Sequence, residues 1–184
     1  MKNAFLIGER VYLRPVEKED APRLQEFTND GDVVRTLYLC RPTTLAKEQE
    51  NIEKLTKEEN LVWLAIAMKH DGHLIGATSL KLADPAHRRA DFGILIGDKL
   101  EWDQGYGTEV TRLMIKYGFE TLNLNRIALT VFAHNPRGIR AYERAGFIRE
   151  GILRQHLYCE DQYQDAIVMG LLRADYENCM GVET

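Results

Sequence analysis

Residues 102–109 read WDQGYGTE and lie between a run of strand formers, ADFGILIG (90–97), and a helical stretch, VTRLMIKYGFETL (110–122). Gly105 and Gly107 therefore stand two apart where a strand feeds a helix. A helix start offers backbone N–H groups without partners and the positive end of the helix dipole, so such a turn can hold a phosphate if side chains leave room. The same pair also suits a bare turn whose backbone needs glycine, and alone it does not separate the two readings. Two familiar phosphate motifs are excluded by spacing: GxGxxG would need glycine at Val110, and GxxxxGK[ST] has no match.

A second constellation is VFAHNPRGIRAYERAGF (131–147). Asn135 before Pro136 is a favoured helix start, and Tyr142, seven residues on, lies two turns along near the same face. Either residue also has an ordinary structural reading, since asparagine caps helices without any ligand and an interior tyrosine is usually packing.

The elements that must position these residues are legible in outline. RVYLRPV (10–16) alternates like a strand, and Asp20 followed by Pro22 opens a short helix, DAPRLQEFTN. Thr43 or Thr44 can cap a polar helix over 45–59. LVWLAIAMK (61–69) and HLIGATSLKL (73–82) form a hairpin through Asp71 and Gly72, a dipeptide suited to the positive φ of a tight turn. DFGILI (91–96) follows as a third strand, antiparallel to the second. The pattern then changes to strand, helix, strand, helix.

Val110, Leu113, Met114, Tyr117 and Thr121 define one face of a helix over 108–122. RIALTVF (126–132) is a strand that a right-handed crossover makes parallel to DFGILI. PRGIRAYERA makes a helix that Gly146 ends in the left-handed conformation. FIREGILRQHLY (147–158) and YQDAIVMGLL (163–172) read as a closing hairpin across CEDQ. The sum is an α/β chain with a mixed sheet of about six or seven strands and helices on both faces, expected to be one domain over 1–184.

Composition narrows the class. With 45% hydrophobic and 28% charged residues the chain reads as soluble and globular, and no segment approaches the roughly 18 apolar residues of a membrane span. The N-terminal run AFLIG is shorter than the ~7 to 15 residue core of a secretory signal. Cys40, Cys159 and Cys179 are odd in number and lack a CxxC, so neither a disulfide framework nor a metal site is expected, and a reducing cytoplasm fits. A net charge of −4 argues against a general nucleic-acid binder and leaves room for a cationic substrate.

Taken together, WDQGYGTEVTRLMIKYGF followed by VFAHNPRGIRAYERAGF resembles the GNAT superfamily of acetyl-CoA-dependent N-acetyltransferases, most strongly over about 87–172. The ending EGILRQHLYCEDQYQDAIVMGLL is similar to the branch that holds the ribosomal-protein N-terminal acetyltransferases and the spermidine N-acetyltransferases. This resemblance implies a GNAT-type fold in which DFGILI splays from RIALTVF, with acetyl-CoA as cosubstrate. It implies a pyrophosphate cradle at Gln104, Gly105, Tyr106, Gly107 and Thr108, and a strand backbone at Ile94, Leu95 and Ile96 that holds pantetheine and polarises the thioester carbonyl. Tyr142 takes the place of the general acid that protonates the departing thiolate, and Asn135 the place that bonds the cofactor arm or orients the helix. Arg137 and Arg140 either reach the coenzyme's phosphates or are simply solvated. Trp102 stands where the family usually carries Gln or Arg, and is expected to pack on or shield the cofactor.

The base is open at this level. Asp91 could deprotonate the acceptor or pair with Arg88 or Arg89. Glu160 and Asp165 could attract a cationic acceptor, His134 lies beside Asn135, and an ordered water could serve instead of a dedicated base. The implied reaction is acetyl transfer to a primary amine, either a protein N-terminus or a small polyamine-like amine. The alternative is a module that binds acyl-CoA without catalysis, which Tyr142 argues against. A dinucleotide oxidoreductase fails on the missing third glycine. Branch resemblance implies a homodimer.

Overall fold

The computed structural model describes residues 1–37 and 41–180, the last two without their side chains. One mixed sheet of eight strands organises them, in the order β1-β2-β3-β4-β5-β6-β8-β7. The strands are β1 (Leu6–Ile7), β2 (Val11–Pro15), β3 (Leu61–Met68), β4 (Leu74–Leu82), β5 (Arg89–Ile96), β6 (Arg126–Phe132), β7 (Ile148–Cys159) and β8 (Gln162–Leu172). The helices are α1 (Ala21–Asn29), α2 (Gly31–Val34), α3 (Leu45–Leu55), α4 (Tyr106–Lys116), α5 (Pro136–Arg144) and α6 (Arg173–Met180). The eighth strand beyond the expected six or seven is β1, two residues paired with Leu13 and Tyr12 of β2 and too short for alternation to reveal.

Every pairing is antiparallel except β5 with β6. That parallel pair runs only over Arg89–Asp91 against Arg126–Ala128. Beyond it, β5 continues beside β4 to Ile96 opposite Gly76, while β6 stays with β8 to Phe132 opposite Ala166. Between Phe92 and Ile96 the two central strands are thus drawn to opposite neighbours, and the sheet opens as a wedge.

Strand alternation explains how both faces become covered. In β3, Leu64 and Ile66 pack with Val110, Met114 and Ile115 of α4, whereas Ala65 between them packs with Leu24 and Phe27 of α1 and Ile52 of α3. All of these side chains are buried. The face of α4 differs from the expected one: Thr111 and Ile115 are buried and Thr121 is exposed. Thr111 and Ile115 precede any irregularity and simply widen the buried face, whereas Thr121 is turned out by a π-helical turn over Tyr117–Thr121, which adds a residue to the turn and rotates its later residues out of phase. Within that turn Gly118 lets the backbone approach β6, since a Cβ there would lie 2.8 Å from the Ile127 Cδ1.

Two expected caps resolve differently. Thr44 accepts from the Lys47 N–H at 3.2 Å and is the cap of α3. Asp20 precedes α1, but its carboxylate takes both Nη atoms of Arg14 at 2.7 Å and the Glu17 N–H at 2.9 Å. The pair is nearly buried, so deleting either partner would leave an uncompensated charge at a cost of about 3–5 kcal/mol. Gly72 has φ 81° and Gly146 φ 104°, as the hairpin turn and the end of α5 require.

Cys159 is a free, partly exposed thiol; Cys40 and the Cys179 side chain lie outside the described residues. Among the described residues no helix is long and apolar enough to cross a membrane.

Candidate active site

The wedge between β5 and β6 is the centre of the site, and strand geometry shows what it offers. Gly97 donates its N–H to Ile75 of β4 at 2.9 Å. With the period of two along a strand, the backbone groups of Leu95 also face β4, while those of Ile94 and Ile96 face the opening. The Ile96 carbonyl is taken by the indole N–H of Trp102 at 2.8 Å. The N–H and C=O of Ile94 and the N–H of Ile96 are left toward the opening, polar groups that a bound chain could pair.

One cavity, about 160 Å³, extends from this opening over the start of α4 and α5. Its walls include Ile94, Leu95, Ile96, Gly105, Tyr106, Gly107 and Thr108, together with Asn135, Arg137, Arg140 and Tyr142. Of the expected cofactor residues only Gln104 is absent from the wall. Its carbonyl accepts from Arg10 Nη1 at 2.8 Å and its amide donates to the Leu100 carbonyl at 2.7 Å, so it braces the turn from behind.

The two glycines do different work. Gly105 has φ 87° and begins α4 in the left-handed region, so the backbone itself demands it. Gly107 is inside the first turn with ordinary helical geometry, and the nearest atom to a Cβ placed there is the Ala141 Cβ at 3.9 Å. Nothing in the chain itself requires glycine at 107, which leaves the open space in front of the helix N-terminus as the feature it preserves.

A clamp that sequence reading missed holds this helix start. Glu109 in the first turn of α4 accepts from the Arg10 backbone N–H at 2.8 Å and the Val11 N–H at 3.2 Å, and its other oxygen meets Arg10 Nε at 3.0 Å. The Arg10 guanidinium also stacks 4.3 Å from the Tyr106 ring centre. Arg137 lies 3.5 Å over the Trp102 ring, so Trp102 both anchors the end of β5 and carries a cation at the cavity wall. Arg140 meets Asp103 only at 3.9 Å and in the open, a pair too weak to commit the guanidinium.

A second cavity of about 730 Å³ lies on the other side of the opening, under α1 and α3. It shares Thr36, Ile94, Leu95, Asn135 and Tyr142 with the first, so the two are compartments of one cleft. Tyr142 and the Ile94 backbone sit at their junction. Asn135 caps α5 by accepting from the Gly138 N–H at 3.0 Å, which fixes the helix that carries Tyr142. The Tyr142 ring is held edge-on by Phe92 and Phe147, each 6.1 Å away. No described residue hydrogen-bonds its hydroxyl, and burial pushes that phenol up to about 12. A phenol so raised stays protonated across the working pH range, so the proton a departing thiolate needs is always held there, although the upward shift also makes the phenol a weaker acid.

The expected acid–base and acceptor residues do not gather here. Asp91 is exposed, at 3.6 Å from Arg89 and outside both cavity walls, on the closed part of the β5–β6 pair. Arg88, the other candidate partner, instead binds Asn123. Glu160 pairs with Arg35 at 2.7 Å, and His134 bonds the Arg35 carbonyl at 2.9 Å. Asp165 accepts from the Gln155 N–H at 2.8 Å. The bond to Gln155 shapes the cleft. Between Leu153 opposite Ala166 and Leu157 opposite Gln164, three residues of β7 stand against Asp165 alone. Gln155 adopts φ 50° in this bulge, and the displaced His156 lines the second cavity. Among the described residues the titratable side chains on that wall are Glu48, Tyr142 and His156, and neither Glu48 nor His156 carries a motif that sequence reading could have used.

His70, Asp71 and His73, also missed from sequence, bring one donor atom each within 4.8 Å at the exposed β3–β4 turn. Asp71 there accepts from the His73 backbone at 3.0 Å, and the group lies outside both cavities.

A wedge-opened parallel strand pair, a phosphate-ready helix start and an unpaired phenol between two compartments define a two-substrate acyl-transfer enzyme fold. Residues 10–148 match the acetyltransferase (GNAT) domain model, and the chain belongs to that family. It is 30% identical over 176 residues to the putative ribosomal N-acetyltransferase YdaF of Bacillus subtilis, covering 93% of this chain and 96% of that one. It is 28% identical over 166 residues to the spermidine N(1)-acetyltransferase of Escherichia coli, covering 90% and 88%. The solved structure of a Vibrio cholerae spermidine N-acetyltransferase with CoA and spermine superposes with a TM-score of 0.84 at 24% identity, covering 91% of this chain and 98% of that chain. The protein is an acetyl-CoA-dependent N-acetyltransferase, with acetyl-CoA as cosubstrate. The alternative of a module that only binds acyl-CoA is set aside.

Proposed function

We propose that the chain acts as one N-acetyltransferase domain that acetylates the primary amine of a small, polyamine-like acceptor. The observation that carries this reading is the junction: Tyr142 and Ile94 belong to the walls of both compartments, one suited to the coenzyme and one to an acceptor. Acetyl-CoA supplies an activated acetyl thioester. The α4 N-terminus, with Gly105, Tyr106, Gly107 and Thr108, holds the pyrophosphate; Arg137 and Arg140 add positive charge beside it. The Ile94 and Ile96 N–H groups face the pantetheine, and the Ile94 N–H stabilises negative charge developing on the carbonyl oxygen. His156 accepts the proton that the acceptor ammonium must lose, while Tyr142 gives its phenolic proton to the leaving sulfur as the carbon–sulfur bond breaks.

Asp91 has no role in this scheme beyond its ion pair with Arg89. A small acceptor is favoured over a protein N-terminus by the walls of the second compartment, which α1, α3 and the β7 bulge supply from three sides, and it agrees with the net charge of −4. The test is thiol release from acetyl-CoA across a panel of small diamines, polyamines, monoamines and peptides with free N-termini. Turnover with small amines and little with peptides supports the proposal. The reverse order would replace it, and no turnover with any amine would end it.

A further inference from the structure

The β3–β4 turn holds a group of donors that acetyl transfer does not use. Its sequence, His70-Asp71-Gly72-His73, places metal-ligating side chains at three of four positions. The Gly72 N–H donates to the Met68 carbonyl at 2.9 Å and the Met68 N–H to the His73 carbonyl at 3.0 Å, so the turn is closed by its own backbone. The His73 N–H also donates to Asp71 Oδ1 at 3.0 Å, which fixes the Asp71 side chain against the turn.

The spacing of the donors fits one ion. A metal held by imidazole nitrogen and carboxylate oxygen at about 2.0–2.2 Å sets neighbouring ligand atoms roughly 2.8–3.5 Å apart. Asp71 Oδ2 lies 2.9 Å from His73 Nδ1 and 3.3 Å from His70 Nε2. One donor atom from each residue stands within 4.8 Å of the others, and His70, the most exposed of the three, can rotate to close the last edge. A cation bound by Nδ1 and Asp71 takes the place of a proton shared between them.

The far side of His73 supplies an outer shell. A ligating histidine commonly gives its other ring N–H to a carboxylate, which fixes the orientation of the ring. Across the ring from Nδ1, His73 Nε2 stands 3.9 Å from Asp98 Oδ2 and 4.0 Å from Glu101 Oε1, and both carboxylates are mostly buried. Asp98 is itself held in place by Arg23 Nη2 at 2.8 Å and by the Leu100 N–H at 3.1 Å. Two imidazoles and one carboxylate suit zinc, nickel, cobalt or copper, whereas magnesium and calcium require mostly oxygen donors.

We infer that His70, Asp71 and His73 form a binding site for a divalent transition-metal ion, with solvent completing the coordination. The three residues lie outside both compartments of the cleft, so the ion takes no part in acetyl transfer. It ties the end of β3 to the start of β4 and, through His73, to the segment of Asp98 and Glu101 that precedes Trp102. The inference stands apart from the choice of acceptor.

The test is calorimetric titration of ZnCl2 into the protein free of any histidine tag, with MgCl2 as the contrasting ion. Wild type should bind one Zn2+ per chain, melt at a higher temperature in its presence, and give no binding heat with Mg2+. Loss of an outer-shell partner alone costs about 10–100-fold in metal affinity, so His70→Asn and His73→Asn should each weaken Zn2+ by about tenfold or more. His87→Asn, which removes an exposed histidine of another turn, should leave the affinity within about twofold. Without metal all three variants should melt within a few degrees of wild type, which separates lost binding from lost folding. Wild type that binds no Zn2+ overturns the inference. So does Zn2+ binding that survives both His70→Asn and His73→Asn unchanged, or Mg2+ binding as tight as that of Zn2+.

Discussion

The two compartments of the cleft are built from different materials. The compartment proposed for the coenzyme is made of backbone: the open N–H groups of Ile94 and Ile96, the left-handed Gly105 and the bare first turn at Gly107. The acceptor side is made of side chains delivered from far apart, Glu48 from α3, Trp63 from β3 and His156 from a bulge in β7. A backbone cradle tolerates few changes and suits one invariant ligand, whereas a wall of side chains can be exchanged piece by piece to fit another acceptor.

This difference explains which parts of the site are legible in the sequence. A backbone cradle needs glycine at set spacing beside a helix start, and a capped helix must present its tyrosine, so 102–109 and 131–147 announce the coenzyme side. The strands from β2 onward, the β3–β4–β5 run, the parallel β5–β6 pair and the closing β7–β8 hairpin follow from alternation and helical periodicity, whereas the places of β2 beside β3 and of β8 between β6 and β7 leave no mark in the spacing. The acceptor side has no such signal, because Glu48, Trp63 and His156 come together only in the folded sheet. The π-helical turn at Tyr117–Thr121 obscures the helix face in the same way, since hydrogen-bond slippage leaves no mark on residue spacing. Asp91 misleads for a related reason: its place at the start of β5 is legible, but the wedge opens only after it.

The comparison can be broken most forcefully at the junction. Tyr142→Phe should lower kcat by about 10²–10³, as loss of a positioned general acid does, while acetyl-CoA affinity stays within about twofold. Stopped-flow thiol release with saturating acceptor checks it, and near-normal turnover would move the proton donor elsewhere. On the acceptor side, His156→Gln should reduce kcat/KM about tenfold at neutral pH. The deficit should shrink as pH rises and the acceptor loses its own proton, a profile that a structural defect would not give.

The pH dependence sharpens the assignment of the phenol. Burial raises Tyr142 to about 12, so the acid needed for catalysis is fully present below the ordinary phenol range and is lost only as pH approaches that raised value. Wild-type kcat at saturating acceptor should therefore show no alkaline fall until within about one unit of it. A fall centred near pH 8 would mean that another group protonates the thiolate. The smallest effect is expected outside the cleft, where Asp91→Asn should leave kcat and both KM values within about twofold.

The central claim is that the coenzyme side is a backbone cradle whose open space belongs to a ligand and not to the fold. Calorimetric titration of acetyl-CoA into Gly107→Val tests it most directly, because a Cβ at 107 meets nothing closer than the Ala141 Cβ at 3.9 Å within the protein. The expected result is a melting temperature within a few degrees of wild type and a Kd at least tenfold weaker. A well-folded Gly107→Val that binds acetyl-CoA with wild-type affinity would contradict the cradle.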